Sequence, residues 1–295
     1  LVKAHDIQTL MFCLQLRQFL GLAYANDRIN LFILNLLRSV YHIFSKIPDL
    51  NYKEESDYQN SADFTKLVNS RRSCRVYTDD PVPEEIIQKC LDLALLAPNS
   101  SNLQPWQFYW VKSKDKRKLL NKYCLNQPAA ATAPEIIVAV ACPEMWRTTR
   151  KLMLQAFEEQ DEVKTPNAAI QYYNKIVPLA YDQGPLGIKG AIKKVVLFFM
   201  GLKKPTPRGP ASKSHMRTWA HKSTALACQN LMLAFRSYGF DTCPMEGLDE
   251  NRVHDLLELP GSAKICMAIS VGKRAKNGIY GPRIRFDREL FVKTV

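Results

Sequence analysis

A chain of 295 residues is long enough to bury one large core or two small ones. With 46% apolar and 23% charged residues it sits near the globular average, which excludes wholesale disorder. Lys and Arg number 41 against 28 Asp and Glu, a formal net charge of +13 that points to an anionic partner: nucleic acid, a membrane surface or a phosphorylated cofactor. Only 12 glycines are present, and neither G-x-G-x-x-G nor G-x-x-x-x-G-K-[ST] occurs, so the glycine-loop nucleotide sites lack their phosphate loop.

Residues 7–47 are rich in Leu, Ile and Phe but are interrupted by Arg17, Asp27, Arg28 and Arg38. Their uncharged stretches fall short of the ~18 residues of a spanning helix. No basic leader precedes them as in a signal peptide. Two helices, roughly 5–24 and 28–46, fit best, and the polar residues 48–61 read as a linker, so residues 1–60 form a helical N-terminal extension ahead of a domain over 61–295. Ala62–Ser70 reads as a short helix. Pro83–Leu96 opens with Pro and two acids, as helix N-termini prefer. Trp106–Val111 alternates like a strand, Asp115–Leu125 is a basic helix, and Ile136–Ala141 is a continuous apolar run suited to a buried strand. Glu144–Glu159 is helical. The basic stretch 160–214 reads as irregular, rich in Pro, Gly and Lys. Met216–Tyr238 is a long helix whose stripe of Ala220, Thr224, Ala227, Leu231 and Ala234 permits close helix approach. Asp249–Leu257 is a further helix and Ala263–Val271 a strand. Helices and strands mix without regular βαβ alternation, which makes the class α+β.

The charge is uneven: residues 143–218 hold 13 basic and six acidic residues, over half of the surplus. The eight cysteines are scattered with no C-x-x-C and mostly lie in apolar patterns, so they read as reduced, buried thiols of a reducing compartment. The five histidines show no zinc spacing, and no metal site is expected.

Four segments could carry chemistry. In Asn69-Ser70-Arg71-Arg72-Ser73-Cys74-Arg75, three arginines and two serines lie at a helix end; guanidinium forks and a hydroxyl match phosphate oxygens, although a solvated basic helix end looks the same. Asn99-Ser100-Ser101-Asn102-Leu103-Gln104-Pro105-Trp106 offers a polar cradle or a locally capped loop. Gly239–Gly247 runs a short strand into a Pro244…Gly247 turn. In Gly281-Pro282-Arg283-Ile284-Arg285, two arginines two apart share one side of an extended segment.

Together and in this order, R-R-S-x-R, N-S-S-N-x-Q-P-W and P-x-E-G resemble the FMN-dependent nitroreductase family over roughly 62–142 and 215–290. The resemblance implies a sandwich of a mostly antiparallel sheet flanked by helices, built as an intertwined homodimer with FMN at the interface. It implies that Arg71, Ser73, Arg283 and Arg285 hold the FMN phosphate, with Arg72 beside the ribityl or phosphate end and Arg75 near the pyrimidine edge. Asn99, Ser100 and Asn102 would reach the FMN of the other subunit. Asn126 would contact the pyrimidine ring, where relatives often carry a neighbouring Lys and this chain has Ala129. Pro244, Glu246 and Gly247 would lie against the flavin with a backbone N–H of Glu246 or Gly247 near N5, and the helix Met216–Tyr238 would be the central dimer helix. No catalytic side chain is required.

The implied activity is an NAD(P)H oxidoreductase passing electrons by a ping-pong cycle to a nitroaromatic, quinone or enone-type acceptor. The alternatives are a specialised dehalogenase-like or flavin-consuming branch, and a non-catalytic basic module on a membrane surface. Nucleic acid is not expected, because no aromatic stacking platform accompanies the basic block. Residues 143–214 stand as an insertion. Within it, the lysine-flanked apolar segment 187–204 reads either as a lid or packing helix or as a contact with an anionic membrane. The resulting location is cytoplasmic, with peripheral membrane attachment as the variant.

Overall fold

The computed structural model describes residues 54, 55, 57, 60–160, 165–202 and 205–295; the expected helices of the N-terminal extension lie outside these residues. The chain divides into two units. Of the described residues, one unit holds Glu54, Glu55 and Arg150–Asp182, and the other holds Thr149 and the residues before it from position 57, together with Gln183–Val295.

The larger unit is built on a four-stranded antiparallel sheet of order β1-β2-β4-β3, with β1 Trp106–Trp110, β2 Glu135–Ala141, β3 Asp241–Met245 and β4 Lys264–Gly272. The run Ile136–Ala141 is apolar without alternation because β2 is central and each of its faces meets a different core. Ile136, Val138 and Val140 pack with Leu120 and Cys124 of α3 (Lys114–Tyr123 and its cap) and Val253 of α10 (Glu250–Leu256). Ile137 and Ala139 pack with Ile87 and Cys90 of α2 (Glu84–Leu95) and Leu231 and Phe235 of α9 (Lys213–Ser237). The result is a sheet between two helical layers, an α+β sandwich as expected. Pro244 has no amide hydrogen to give a ladder and accordingly sits in β3, an edge strand.

Local chemistry sets the element ends. Asn60 caps α1 (Ser61–Ser70) by accepting from the Ala62 amide at 2.9 Å. Ser113 caps α3 through the Lys116 amide. Ser212 accepts from His215 N at 3.1 Å, which starts α9 three residues ahead of the apolar pattern at Met216. All five residues of the expected α9 stripe, from Ala220 to Ala234, are buried. A short helix, α4 (Pro128–Ala131), was not expected; Pro128 opens it.

The expectation of irregular structure over 160–214 is corrected. The smaller unit contains the end of α5 (Trp146–Glu159), then α6 (Asn167–Gln171), a wider turn over Tyr172–Ile176 and α7 (Val177–Tyr181). Phe157 and Tyr172 both meet the Tyr173 ring edge-on at 5.4 Å. In the larger unit, α8 spans Ile188–Gly201. The prolines and glycines that suggested breaks act at helix starts instead: Pro166 precedes α6, Pro178 lies in the first turn of α7, and Gly187 enters α8 with φ +86°.

Within the larger unit a buried carboxylate ties β3, the end of α9 and the turn after β4 to the segment that follows α1. Asp241, 4% exposed at the start of β3, accepts from Arg274 Nη2 at 2.6 Å and Nε at 3.1 Å, and from Arg236 Nη1 at 3.2 Å. Arg236, at the end of α9, donates through Nε to Ser70 Oγ at 3.0 Å. Three segments therefore meet at one charge. Replacing Asp241 by Ala leaves two guanidinium groups without their carboxylate. Because both arginines are partly exposed and can turn to water, the loss is expected at the lower end for a broken buried pair, about 3 kcal/mol. Urea unfolding of Asp241→Ala against the unaltered chain measures it.

Candidate functional site: an arginine-lined cleft

The two arginine segments, far apart in sequence, line one cleft of about 210 Å³: Arg71, Arg72, Ser73 and Arg75 on one wall, and Ile279–Arg285 on the other. The first wall leaves α1 and is held against the sheet edge, where Ser73 bridges Thr242 in parallel and Cys74 N donates to Thr242 O at 3.1 Å. The second wall follows β4 through a turn at Gly278. There Arg75 N donates to Gly278 O at 2.8 Å, and a Cβ on Gly278 would stand 2.6 Å from Val76 O and 2.9 Å from Cys74 Sγ. Only glycine lets the walls approach so closely.

The arginines also stitch the walls together. Arg72 Nη2 donates to Gly281 O at 2.6 Å, and Arg283 Nη2 donates to Asn69 O at 2.9 Å and Arg71 O at 2.6 Å. The Arg75 guanidinium lies over the Tyr280 ring at 5.4 Å from its centroid. None of Arg71, Arg72, Arg75, Arg283 and Arg285 has a carboxylate partner among the described residues. Burial and the neighbouring charges of Arg283, Arg285 and Arg72 hold Arg71 below the ordinary arginine range. Such a concentration of uncompensated guanidinium groups is costly without an anion, and its fork geometry matches a phosphate.

Cys243, one residue before Pro244, is buried beneath this wall; burial raises its thiol pKa, against the opposing pull of Arg75 and Arg71. Immediately past β3, Glu246 and Gly247 are exposed. Gln127 Nε2 donates to Gly247 O at 2.6 Å, which brings Asn126 (φ +51°) and the Pro244–Gly247 turn together as a second polar group on the same edge of the sheet. Gln127, Tyr280 and Gly278 were not anticipated. Their signals were the Q-P step beside Asn126 and the aromatic and glycine residues just ahead of Gly281-Pro282.

Asn99, Ser100 and Asn102 do not join them. Their loop is folded on itself: Asn99 Oδ1 accepts from Gln104 N at 2.7 Å, Gln104 Nε2 donates to Asn102 Oδ1 at 3.2 Å, and Ser101, Asn102 and Gln104 have φ of +59°, +45° and +44°. It leads into Trp106, which pairs with Ala141, whereas Thr242 beside the cleft pairs with Val271 opposite Glu135. The loop and the cleft thus lie at diagonal corners, ~14 Å across the strands and ~20 Å along them.

Seven cysteines fall among the described residues and none is in a disulfide; burial pushes the Cys90 thiol up to about 12 and those of Cys124 and Cys142 up to about 11, so they are inert thiols. No described helix is long and apolar enough to cross a membrane.

The sequence profile of the nitroreductase family matches residues 68–273. An NADH dehydrogenase of Thermus thermophilus is 27% identical over 220 residues, covering 74% of this chain and 90% of its own length. A 4-nitrobenzoate reductase of Pseudomonas putida is 24% identical over 232 residues, covering 77% and 92%. Among solved structures, a putative nitroreductase from Exiguobacterium sibiricum in complex with FMN superposes with a TM-score of 0.60 at 23% identity, covering 80% of this chain and 99% of that one. One from Bacillus subtilis gives 0.60 at 21% identity, covering 80% and 100%. The matched span contains the first arginine wall, the diagonal loop and the Pro244–Gly247 turn, and the chain belongs to the nitroreductase family.

Proposed function

We propose that the chain is an FMN-dependent NAD(P)H oxidoreductase and that the arginine-lined cleft holds the FMN phosphate. The observation that carries this reading is the convergence of Arg71, Arg72, Arg75, Arg283 and Arg285 with Ser73 on one cleft without a carboxylate, in a chain of this family. The donor set fits the group: a phosphate monoester dianion offers the oxygen acceptors that guanidinium forks and a hydroxyl require. The names of the relatives, which include a putative NAD(P)H nitroreductase of Bacillus subtilis, and the FMN of the Exiguobacterium structure support it.

Bound FMN would supply the redox chemistry, accepting hydride from NAD(P)H at N5 and passing electrons to a nitroaromatic, quinone or enone-type acceptor in a ping-pong cycle. The protein's own groups bind and orient. Arg71, Ser73, Arg283 and Arg285 would neutralise the phosphate, and Arg72, already donating to Gly281 O, would brace the walls beside the ribityl chain. Arg75, kept in place by Tyr280, would put a positive charge near the pyrimidine edge, where it favours the reduced, anionic flavin. Pro244, Glu246 and Gly247 would lie along the ring with a backbone donor toward N5, and Asn126 would reach its polar edge.

The same reading requires two copies. Asn99, Ser100 and Asn102 stand diagonally across the sheet from the cleft of their own chain, so they would complete the cleft of a partner. The exposed apolar residues Phe286, Leu290 and Phe291, which follow the cleft, give an arm suited to lie on that partner.

Purified protein is expected to be yellow, or to become so on incubation with FMN; a chain that takes up no FMN overturns the assignment. Arg71→Ala and Arg285→Ala are each expected to weaken FMN binding about tenfold or more, read by quenching of flavin fluorescence. Unchanged affinity in both removes the phosphate from this cleft. The shared site has its own test. Arg71→Ala and Asn102→Ala chains, each impaired alone, should regain FMN binding at about a quarter of all sites when equal amounts are unfolded and refolded together, because about half of the dimers are then mixed and each mixed dimer joins one unaltered cleft to one unaltered partner loop; absence of rescue contradicts the dimeric site.

A further inference from the structure

The arginines of the cleft leave much of the positive charge unused. Residues 183–240 contain ten Lys and Arg and no Asp or Glu. Within this stretch α8 is turned inside out. Its glycine side is the packed one: Gly190 N donates to Gln183 O at 3.1 Å, and a Cβ at Gly190 would meet Gln183 Oε1 at 2.4 Å and Ala211 O at 3.2 Å. Its apolar side faces outward. At 100° per residue, Ile188, Ile192, Val195, Phe198 and Leu202 fall within one arc of about 120°. They are exposed at 57%, 58%, 39%, 57% and 67%, and Leu186 just ahead of the helix is 90% exposed.

Lys189 and Lys194, both exposed, lie just outside this arc on opposite sides. Lys193 turns inward, donating to Pro210 O at 3.3 Å. Lys203 and Lys204 follow in the sequence. A helix of 14 residues is ~21 Å long, too short to cross a bilayer but suited to lie along one. An outward apolar stripe with cations on both flanks, in a stretch free of acids, matches in shape and charge the boundary between acyl chains and anionic headgroups.

We propose that residues 186–202 are an in-plane anchor that seats this protein on an anionic lipid bilayer. Ile188, Ile192, Val195, Phe198 and Leu202 enter the acyl boundary, while Lys189 and Lys194 stay at the phosphates. The anchor does not depend on the flavin reading.

The test is flotation of the full chain with vesicles of phosphatidylcholine alone and of phosphatidylcholine with phosphatidylglycerol. The chain should float with the anionic vesicles and much less with the neutral ones, and added salt should release it. Ile192→Asp with Phe198→Asp should lower the bound fraction at least tenfold. Lys189→Gln with Lys194→Gln should lower affinity about fivefold per lysine. Both pairs lie on the exposed surface, so an unchanged thermal midpoint certifies folding. No flotation with anionic vesicles, or flotation of the apolar double variant equal to the unaltered chain, overturns the anchor. So does conversion of a larger assembly to a smaller one by that variant in the absence of lipid, because the face would then be covered by another copy of the chain.

Discussion

Two arginines share one carboxylate at the start of β3, and the positions of the functional segments follow from that pairing. A buried Asp is tolerable only when its charge is met, and Arg274 and Arg236 meet it from opposite directions in sequence. Arg274 arrives on the turn after β4, the turn that continues through Gly278 into the second wall of the cleft. Arg236 arrives at the end of the long helix α9 and passes the tie on to Ser70, the residue before Arg71. The neutralised charge at Asp241 thus sits under a cluster of charges that are not neutralised. Among the described residues the buried carboxylate of Asp241 lies beneath the cleft, and no carboxylate lines the cleft itself.

That contrast explains why the site is read from cations. In the core, β2 can be apolar on every residue from Ile136 to Ala141 because α2 and α9 cover one face and α3 and α10 the other. The sheet therefore contributes rigidity and register but little chemistry. The polar groups of the cleft lie on the edge strand β3 and on the segments beside it. Ser73 reaches the sheet through a single bridge to β3, which leaves its neighbours Arg71, Arg72 and Arg75 beside solvent on the cleft wall.

How much of this the amino-acid sequence disclosed depended on whether the signal was local. Strand β2 was legible as an apolar run, α9 as a 3.6-residue stripe, and the arginine walls as unusual densities of guanidinium groups. Their convergence was not local: Asn69 and Arg283 touch across 214 positions, and only the resemblance to a family joined them beforehand. The role of Asp241 was open to inference, since an acid in the apolar pattern Phe240-Asp241-Thr242-Cys243 signals a paired charge, but its partners lie 5 and 33 residues away on other elements. The stretch 160–214 misled because Pro and Gly were read as breakers. In Pro166, Pro178 and Gly187 their restricted or left-handed backbone starts helices. The helix α8 was visible as apolar and basic, but which side faced outward was settled by Gly190 packing on Ala211, a contact no periodicity reports.

The long sequence gap between the walls of the cleft has a consequence in time. A ribosome adding ~5–20 residues per second places Arg71 outside long before it reaches Arg283, an interval on the order of 10–40 s. During that interval the segments of the sheet and of both helical layers are synthesised, while the upstream arginines lack the second wall of their cleft. An anion taken up at the cleft therefore marks a chain whose translation has passed Arg285.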